Sequence, residues 1–457
     1  MKSIITGIVL SLVWTWGYGQ NPNPVLENYI RIGLENNLAL QQKVASFEKS
    51  LEVLNQARAY YLPAISFNAR YSIASGGRKI EFPIGDLLNP VYSTLNSLTG
   101  SSQFPQVENQ DFYFLRPEEQ ETKLELIQPI FNPAIVYNYK ISKQISNVQK
   151  ADMDAYRRQL VADIKTAYFS YMKTLKLQEL VEETRALLEE NIRVNKSLFH
   201  NDKVTIDVVY RSEAELSKLE QNEAVIFKNI QMAASWFNYL LNRPFNTSID
   251  VQEDVAMVHE ADSLLVAEEL AIENREELKQ LEFAKRVAEF ELKMNQSNAA
   301  PKLFAAVNYG IQGVNYSMTA EDDYFLGSLV LRWDLFRGLE NRSKIRQSRI
   351  QLEQIKTKKA EVADQIKLEV NEAYYNLLAA SKYVDAVRNE KESSEKAFAV
   401  IQRKYAEGMV TLIEFIDSRT TMTTASANYI IAQFEYRIME AEYERAKGNF
   451  ELPLANQ

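Results

Sequence analysis

Tyr405-Ala406-Glu407-Gly408-Met409-Val410-Thr411, continued by residues 412–418, lies between two long segments of helical periodicity and carries the only glycine between Gly338 and Gly448. Two long helices that meet at one Gly and one Thr predict a helical hairpin tip. The Gly accepts a left-handed backbone, and the Thr caps the helix that follows. Glu414 and Asp417 are three apart and so share a helix face one turn beyond the tip. No catalytic constellation accompanies this stretch. It is an architectural landmark, and a degraded copy stands upstream as His200-Asn201-Asp202-Lys203-Val204-Thr205.

Residues 412–447 predict the second helix of that hairpin and 339–406 the first, whose apolar stripe is Ile355, Val362, Ile366, Val370, Ala373, Leu377, Val384 and Val387. Before them, 302–312 and 325–335 alternate with period two. Leu303, Ala305, Val307, Tyr309 and Ile311 share a face of the first, and Phe325, Gly327, Leu329, Leu331, Trp333 and Leu335 a face of the second. A helix over 263–298, ended by Pro301, precedes them. The first half has the same order. A helix over 25–61 ends at Pro63, and strands follow at 66–73 and 122–130, with Pro129 near an end where the missing donor is tolerated. Helices then cover 133–198, with Leu160, Ile164, Ala167, Tyr171 and Leu175 as stripe, and 206–241. Residues 246–260 read as a linker and the Gly-, Pro-, Ser- and aromatic-rich insert 76–121 as a loop.

The correspondence keeps a constant offset. Phe131 and Phe336 are 205 residues apart, Ala167-Tyr168-Phe169 and Ala373-Tyr374-Tyr375 are 206 apart, and Val204-Thr205 and Val410-Thr411 again 206. Pro63 and Pro301 are 238 apart, and the excess is the insert. Four matches in order predict a tandem duplication of helix–strand–strand–helix–helix. The expected division is a signal peptide 1–19, a first repeat 20–245, a linker 246–261, a second repeat 262–450 and a C-terminal tail 451–457.

Composition narrows the function. The 457 residues are 46% hydrophobic and 25% charged, with formal net charge −9, which is no signature of disorder. Mild acidity without a basic stripe argues against nucleic acid as a partner. The chain has no cysteine, which excludes disulfides, thiolate metal sites and cysteine nucleophiles. With His200 and His259 the only histidines, a His-rich metal site or a His-based triad is excluded as well. No cofactor is expected. Lys2, the apolar run 4–16 and the small residues of Gly17-Tyr18-Gly19 predict an export signal cut after Gly19.

The duplicated unit makes a physical demand. Two helices of about 65 residues run roughly 100 Å at 1.5 Å per residue, longer than a globular core, so they pack along their length as coiled coils do. The four strands have the length that crosses a bilayer tilted, with one apolar face. Four strands cannot close a barrel, and open edges are not tolerated in lipid, so in a membrane other copies must complete it. A soluble sheet packed on helices accounts for the same alternation.

The two-fold order, the Pro-ended helix before each strand pair, the two interrupted long helices, the tip 405–411 and the Ile416-Asp417-Ser418 after it resemble the TolC family of outer-membrane efflux proteins, over about residues 25–448. The resemblance implies an α+β membrane protein, mostly α. It would be a homotrimer with a twelve-stranded transmembrane β-barrel, four strands per chain, continued by a long periplasmic α-helical barrel. It would lie in the outer membrane of a Gram-negative bacterium as the passive exit duct of a tripartite efflux or type I secretion system. A periplasmic adaptor and an inner-membrane pump would be its partners, and the chain would not be an enzyme. The alternative is a periplasmic helical scaffold or adaptor-like protein without a barrel, although no Gly-rich lipoyl-like domain flanks a hairpin here.

Residue by residue, Gly408, Met409, Val410 and Thr411, with Asn201 and Asp202 in the first repeat, match the hairpin ends that the family presents to its adaptor. Asn201 stands where a Gly is usual, a departure that Asn tolerates. Glu414 and Asp417 match the acidic positions that narrow the closed periplasmic end, where stacked rings favour cations. Asp207 matches their first-repeat counterpart. The insert would be extracellular, and Asn68, Arg70, Lys123, Glu125, Asn308, Arg332 and Asp334 would face the lumen. Phe67, Tyr71, Leu126, Tyr309, Leu331 and Trp333 would face lipid.

Overall fold

The computed structural model describes residues 23–252 and 262–448, apart from 315, 317, 318 and 320. The expected export signal, most of the linker with His259, and the tail 451–457 lie outside the described residues. The elements, in order, are helices α1 (Pro24–Asn36) and α2 (Leu38–Ala59), strands β1 (Ala64–Ile73) and β2 (Lys79–Phe82), helix α3 (Ile84–Thr99), strands β3 (Gln110–Tyr113) and β4 (Glu118–Phe131), and helices α4 (Pro133–His200) and α5 (Ile206–Leu240). They continue with helices α6 (Leu264–Asn274) and α7 (Glu276–Ser297), strands β5 (Lys302–Gly313) and β6 (Asp323–Arg332), and helices α8 (Glu340–Ala406) and α9 (Leu412–Lys447). The long helices α4 and α8 have 68 and 67 residues. No helix among the described residues is long and apolar enough to cross a membrane, which says nothing of strands.

The chain divides into two compact units, and each takes segments from both halves of the sequence. One runs to Glu48 and adds Asn147–Glu282 and everything from Lys356; the other is Lys49–Ser146 with Phe283–Ile355. The first unit is helical. Its core buries Leu160, Ile164, Tyr168 and Phe237 in one cluster, and Ile366, Val370, Leu377 and Tyr443 in another. Leu160 and Ile366, Ile164 and Val370, and Phe237 and Tyr443 are each 206 residues apart, so the expected stripes are the buried faces.

Two of the predicted helices are broken, and in the same way. The 25–61 helix stops at Asn37 (φ −61°, ψ 123°) and the 263–298 helix at Arg275 (φ −62°, ψ 124°). Extended backbone there turns the chain between two helices without proline or glycine, so period-counting ran through both breaks. Side chains stabilise the bends. Asn37 Nδ2 donates to the Leu240 carbonyl at 2.9 Å, and its Oδ1 accepts from Leu40 N at 2.9 Å. Arg275 donates to the Ala446 carbonyl at 3.3 Å while binding Glu277 and Glu369. Each bend therefore seals the carbonyl end of a hairpin helix. Asn37→Ala strands the Leu240 carbonyl and uncaps α2, so it should cost about 1–3 kcal/mol. A lowered urea midpoint with an unchanged slope checks it.

In the second unit, β1, β4, β5 and β6 form an antiparallel sheet in that order, with β1 and β6 at its open edges. The register pairs Phe67 with Leu124, Leu124 with Tyr309 and Tyr309 with Phe325 on one face. Asn68 pairs with Lys123, and Glu125 with Asn308, on the other. Arg70, Lys123 and the Tyr324 hydroxyl gather on Glu121 at 3.5, 3.1 and 3.1 Å. One face is thus apolar and aromatic and the other carries charge, although Leu326 and Val330 join the polar side by register.

Three expectations need correction here. Strand β4 starts at Glu118 rather than 122, and Pro129 coincides with a register shift between Pro129 and Phe131. Strand β6 stops at Arg332, so Trp333 and Asp334 lie beyond it. Trp333 Nε1 donates to the Ala299 carbonyl at 3.0 Å, and Asp334 pairs with Arg337 at 3.1 Å. The insert 76–121 is not a loop, since it holds β2, α3 and β3. Leu87, Leu88, Val91, Leu95 and Leu98 have helical spacing, but Pro83 and Pro90 read as breakers. Pro83 in fact precedes the first turn, whereas Pro90 stands inside the helix, in its second turn, at the cost of one intrahelical hydrogen bond.

Candidate functional site at the paired hairpins

The α4–α5 and α8–α9 turns belong to the helical unit and are built alike. Gly408 adopts φ +74°, its N–H donates to Tyr405 O at 3.0 Å, and Met409 N donates to Lys404 O at 2.8 Å. This closure needs a left-handed residue after the helix. In the first hairpin the left-handed residue is Asp202, φ +53°, with Asp202 N on Phe199 O and Lys203 N on Leu198 O. Asp202, not Asn201, is therefore the counterpart of Gly408, 206 residues before it. Asn201 is still in the last turn, where its Nδ2 donates to Ser197 O at 2.7 Å.

Beyond each tip a threonine starts the next helix. Thr411 and Glu414 form a reciprocal capping box: Glu414 Oε2 accepts from Thr411 N at 2.7 Å and from its hydroxyl at 2.9 Å, and Glu414 N donates to Thr411 Oγ1 at 3.3 Å. These donors, the backbone N–H foremost, hold the Glu414 carboxyl below its ordinary 4.5. Asp417 is exposed on the same face one turn on, with no ion pair among the described residues. In the first hairpin the Thr205 hydroxyl donates to Asp207 instead, and Arg211 lies 3.7 Å from that carboxylate. Met409 and Ile413, and on the first hairpin Ile206 and Tyr210, are exposed apolar residues within about two turns of the tips.

The two hairpins are joined by groups that sequence reasoning did not single out. The Tyr405 hydroxyl donates to Asn195 Oδ1 at 2.7 Å, linking α8 to α4. Asn195 has no exposed surface, and its amide reaches Ser212 Oγ at 2.8 Å and Asn191 Oδ1 at 3.1 Å. Burial pushes the Tyr405 hydroxyl above the ordinary tyrosine range, against the pull of the two asparagines. One turn deeper, Arg419 Nη2 of α9 donates to Glu215 Oε2 of α5 at 2.8 Å, with the side chains only 7% and 14% exposed. Burial pulls the Arg419 guanidinium down, and the Glu215 carboxylate opposes it. Between these links, Phe398, Leu412 and Phe415 pack with Leu187 and Val208. The signal in the sequence was polarity on an apolar stripe: Arg419 falls on the spacing of Leu412, Phe415 and Met422, and Asn195 on that of Leu188 and Ile192.

No group of three or more His, Cys, Asp or Glu residues able to hold a metal exists among the described residues. The geometry is a pair of coupled hairpins.

Residues 268–449 match the family of outer membrane efflux proteins. The outer membrane protein TolC of Salmonella enteritidis is 19% identical over 97% of this chain and 85% of its own length, and that of Escherichia coli K12 is 18% identical over 90% and 80%. These likenesses support a TolC-like outer-membrane factor. The chain's fold is that of solved channels. The outer-membrane channel OprN superposes with TM-score 0.77 at 13% identity, covering 94% of this chain and 91% of that one. The MtrE channel of Neisseria gonorrhoeae, solved in its open state, gives 0.76 at 16%, covering 93% and 89%. VceC of Vibrio cholerae gives 0.74 at 13%, covering 93% and 96%. This outer-membrane factor is a conduit rather than an enzyme, and it extends from the outer membrane into the periplasm.

Proposed function

We propose that three copies of this factor form the exit duct of a tripartite efflux or type I secretion system, passing small molecules or polypeptide outward. The observation that carries the reading is the sheet: four strands, one polar face, one apolar face and two open edges. Three such sheets joined edge to edge make twelve strands, within the range of outer-membrane barrels, and leave no edge in lipid. The tandem repeat, with halves 20–245 and 262–450, gives each chain its two strand pairs and two hairpins. The polar row of Asn68, Arg70, Lys123, Glu125, Asn308 and Arg332 would line the lumen, and Phe67, Tyr71, Leu126, Tyr309 and Leu331 would meet lipid. Planar-bilayer recording of the purified protein tests it. Discrete channels of trimeric protein support the duct, and folded protein without conductance favours the periplasmic scaffold.

The hairpins would be the working end. Gly408, Met409, Val410 and Thr411, with Asn201 and Asp202, would contact a periplasmic adaptor, and the exposed Met409 and Ile413 supply apolar anchors there. Glu414 and Asp417, with Asp207 nearby, would ring the narrow opening and favour cations. Glu414 has a depressed folded-state pKa. Its capping contribution is therefore present above its unfolded value and is lost only as pH falls through the lower folded value. Cation preference should accordingly persist at pH 5 in the wild type and fall in Glu414→Gln/Asp417→Asn at any pH. Reversal potentials in a salt gradient read this directly; equal selectivity in the two proteins removes the gate assignment and leaves the duct.

A further inference from the structure

The insert between β1 and β4 is rigid in a way that no connecting loop requires. Along one side of α3, asparagines clamp it to the returning chain. Asn89 exchanges two hydrogen bonds with the backbone of Val107, at 3.0 and 2.8 Å, and Asn96 two with Phe104, at 2.8 and 3.1 Å. Asn109 in turn donates to Asp86 and accepts from its backbone. Gly85 permits this approach, because a Cβ there would lie 2.3 Å from the Val107 carbonyl. The opposite side of α3 is bare. Leu87, Val91 and Leu98 are 67%, 51% and 79% exposed, and Thr94 is exposed between them.

Positions 87, 91, 94 and 98 follow alternate steps of four and three. That is the narrow seam by which one helix packs on another of its kind, not the broad face of a helix lying on a sheet. The seam is about 17 Å long at 1.5 Å per residue. Asp86 is the only charged residue on α3, which has no Lys or Arg to meet an anionic membrane surface. The insert also rises from β1, whose outer edge is open and awaits a strand of another copy. A long insert in such a barrel lies on the extracellular side.

We propose that α3 docks through Leu87, Val91, Thr94 and Leu98 against α3 of the other copies of this chain, forming a helical cap at the extracellular mouth. The inference rests on the trimeric duct. The asparagine clamps fix the helix before it meets its partners, so little ordering is left to do on association. The cap makes the extracellular mouth of the barrel a constriction in its own right.

The chain has no cysteine, so a single introduced thiol reports cleanly. Full-length Leu98→Cys and Ser93→Cys, the latter exposed on the far side of α3, are purified in detergent and oxidised. Their mass is measured by sedimentation before oxidation. Trimeric Leu98→Cys should give about tenfold more disulfide-linked dimer than Ser93→Cys, because apposed thiols react at millimolar-range effective concentration. Trimers in which both variants cross-link equally overturn the cap and leave the duct standing. Monomers in both overturn the duct, and the cap with it. Leu98→Ser gives the same sedimentation as wild type if the seam substitution itself leaves the fold intact.

Discussion

Glu215→Ala should open the channel. The Arg419 guanidinium is buried, and the Glu215 carboxylate of α5 at 2.8 Å is its charged partner across the two hairpins. Arg419 Nε already lacks a partner among the described residues. Removing Glu215 leaves a buried, unpaired cation, for which the usual cost is about 3–5 kcal/mol. Relief comes from parting α9 from α5, which puts the guanidinium in water. A factor of ten per 1.4 kcal/mol would then shift a closed-to-open equilibrium by two orders of magnitude or more. Conductance in planar bilayers should rise sharply towards a plateau. Tyr405→Phe strands only Asn195 Oδ1, and at about 1–3 kcal/mol its effect should be smaller. Tyr405 stacks on Phe415, which precedes Arg419 by one helical turn, so the double variant should be less than additive. Unchanged conductance in Glu215→Ala, from protein with wild-type sedimentation, would mean that the hairpins do not part along this seam.

Gly310→Ala should abolish the assembled channel, whereas Gly327→Ala should be tolerated. Both glycines lie in central positions of strands and neither has a left-handed backbone. A Cβ on Gly310 would sit 2.3 Å from the Thr122 carbonyl oxygen and 2.7 Å from Lys123 Cα, backbone atoms that cannot yield without breaking the β4–β5 ladder. A Cβ on Gly327 would meet only Phe325 Cε1, at 3.8 Å. The expected penalty at Gly310 is about 4 kcal/mol or more, in the class of overpacking against fixed atoms. Heat-resistant oligomer on a denaturing gel should be lost for Gly310→Ala and kept for Gly327→Ala. Equal retention in both would show that β5 can shift away from β4 without cost.

The sheet and the site differ in how far they could be read from residues. Strand alternation is a local property: Phe67, Tyr71 and Tyr309 announce a face through their own spacing, and the register places them together. The hairpin tips are equally local. Gly408 and Thr411 are a stop and a start within four residues, and the capping box of Thr411 and Glu414 is written in that spacing. Asp202 was named at the tip, but Asn201 was set in the glycine's place, because the left-handed backbone of Asp202 is chosen by the hydrogen bonds of Lys203 and Phe199 and Asn201 is the better-known candidate by residue type alone. The breaks at Asn37 and Arg275 were missed for a related reason. Neither residue resists a helix, and each is bent by what lies beside it, a carbonyl end roughly two hundred positions away.

From the sequence by itself came the periodicities, the offset of 206 that relates the hairpins, the lack of cysteine with only two histidines, and the resemblance to the efflux-channel family. These depend on residue type and spacing along the chain, which side-chain polarity and backbone preference report directly. Tertiary structure alone decided the pairing of Tyr405 with Asn195 and of Arg419 with Glu215, the order β1–β4–β5–β6, and the clamped helix within the insert. Each of these joins residues whose chemistry allows many partners. Distance between them is set only when the intervening helices and strands have packed.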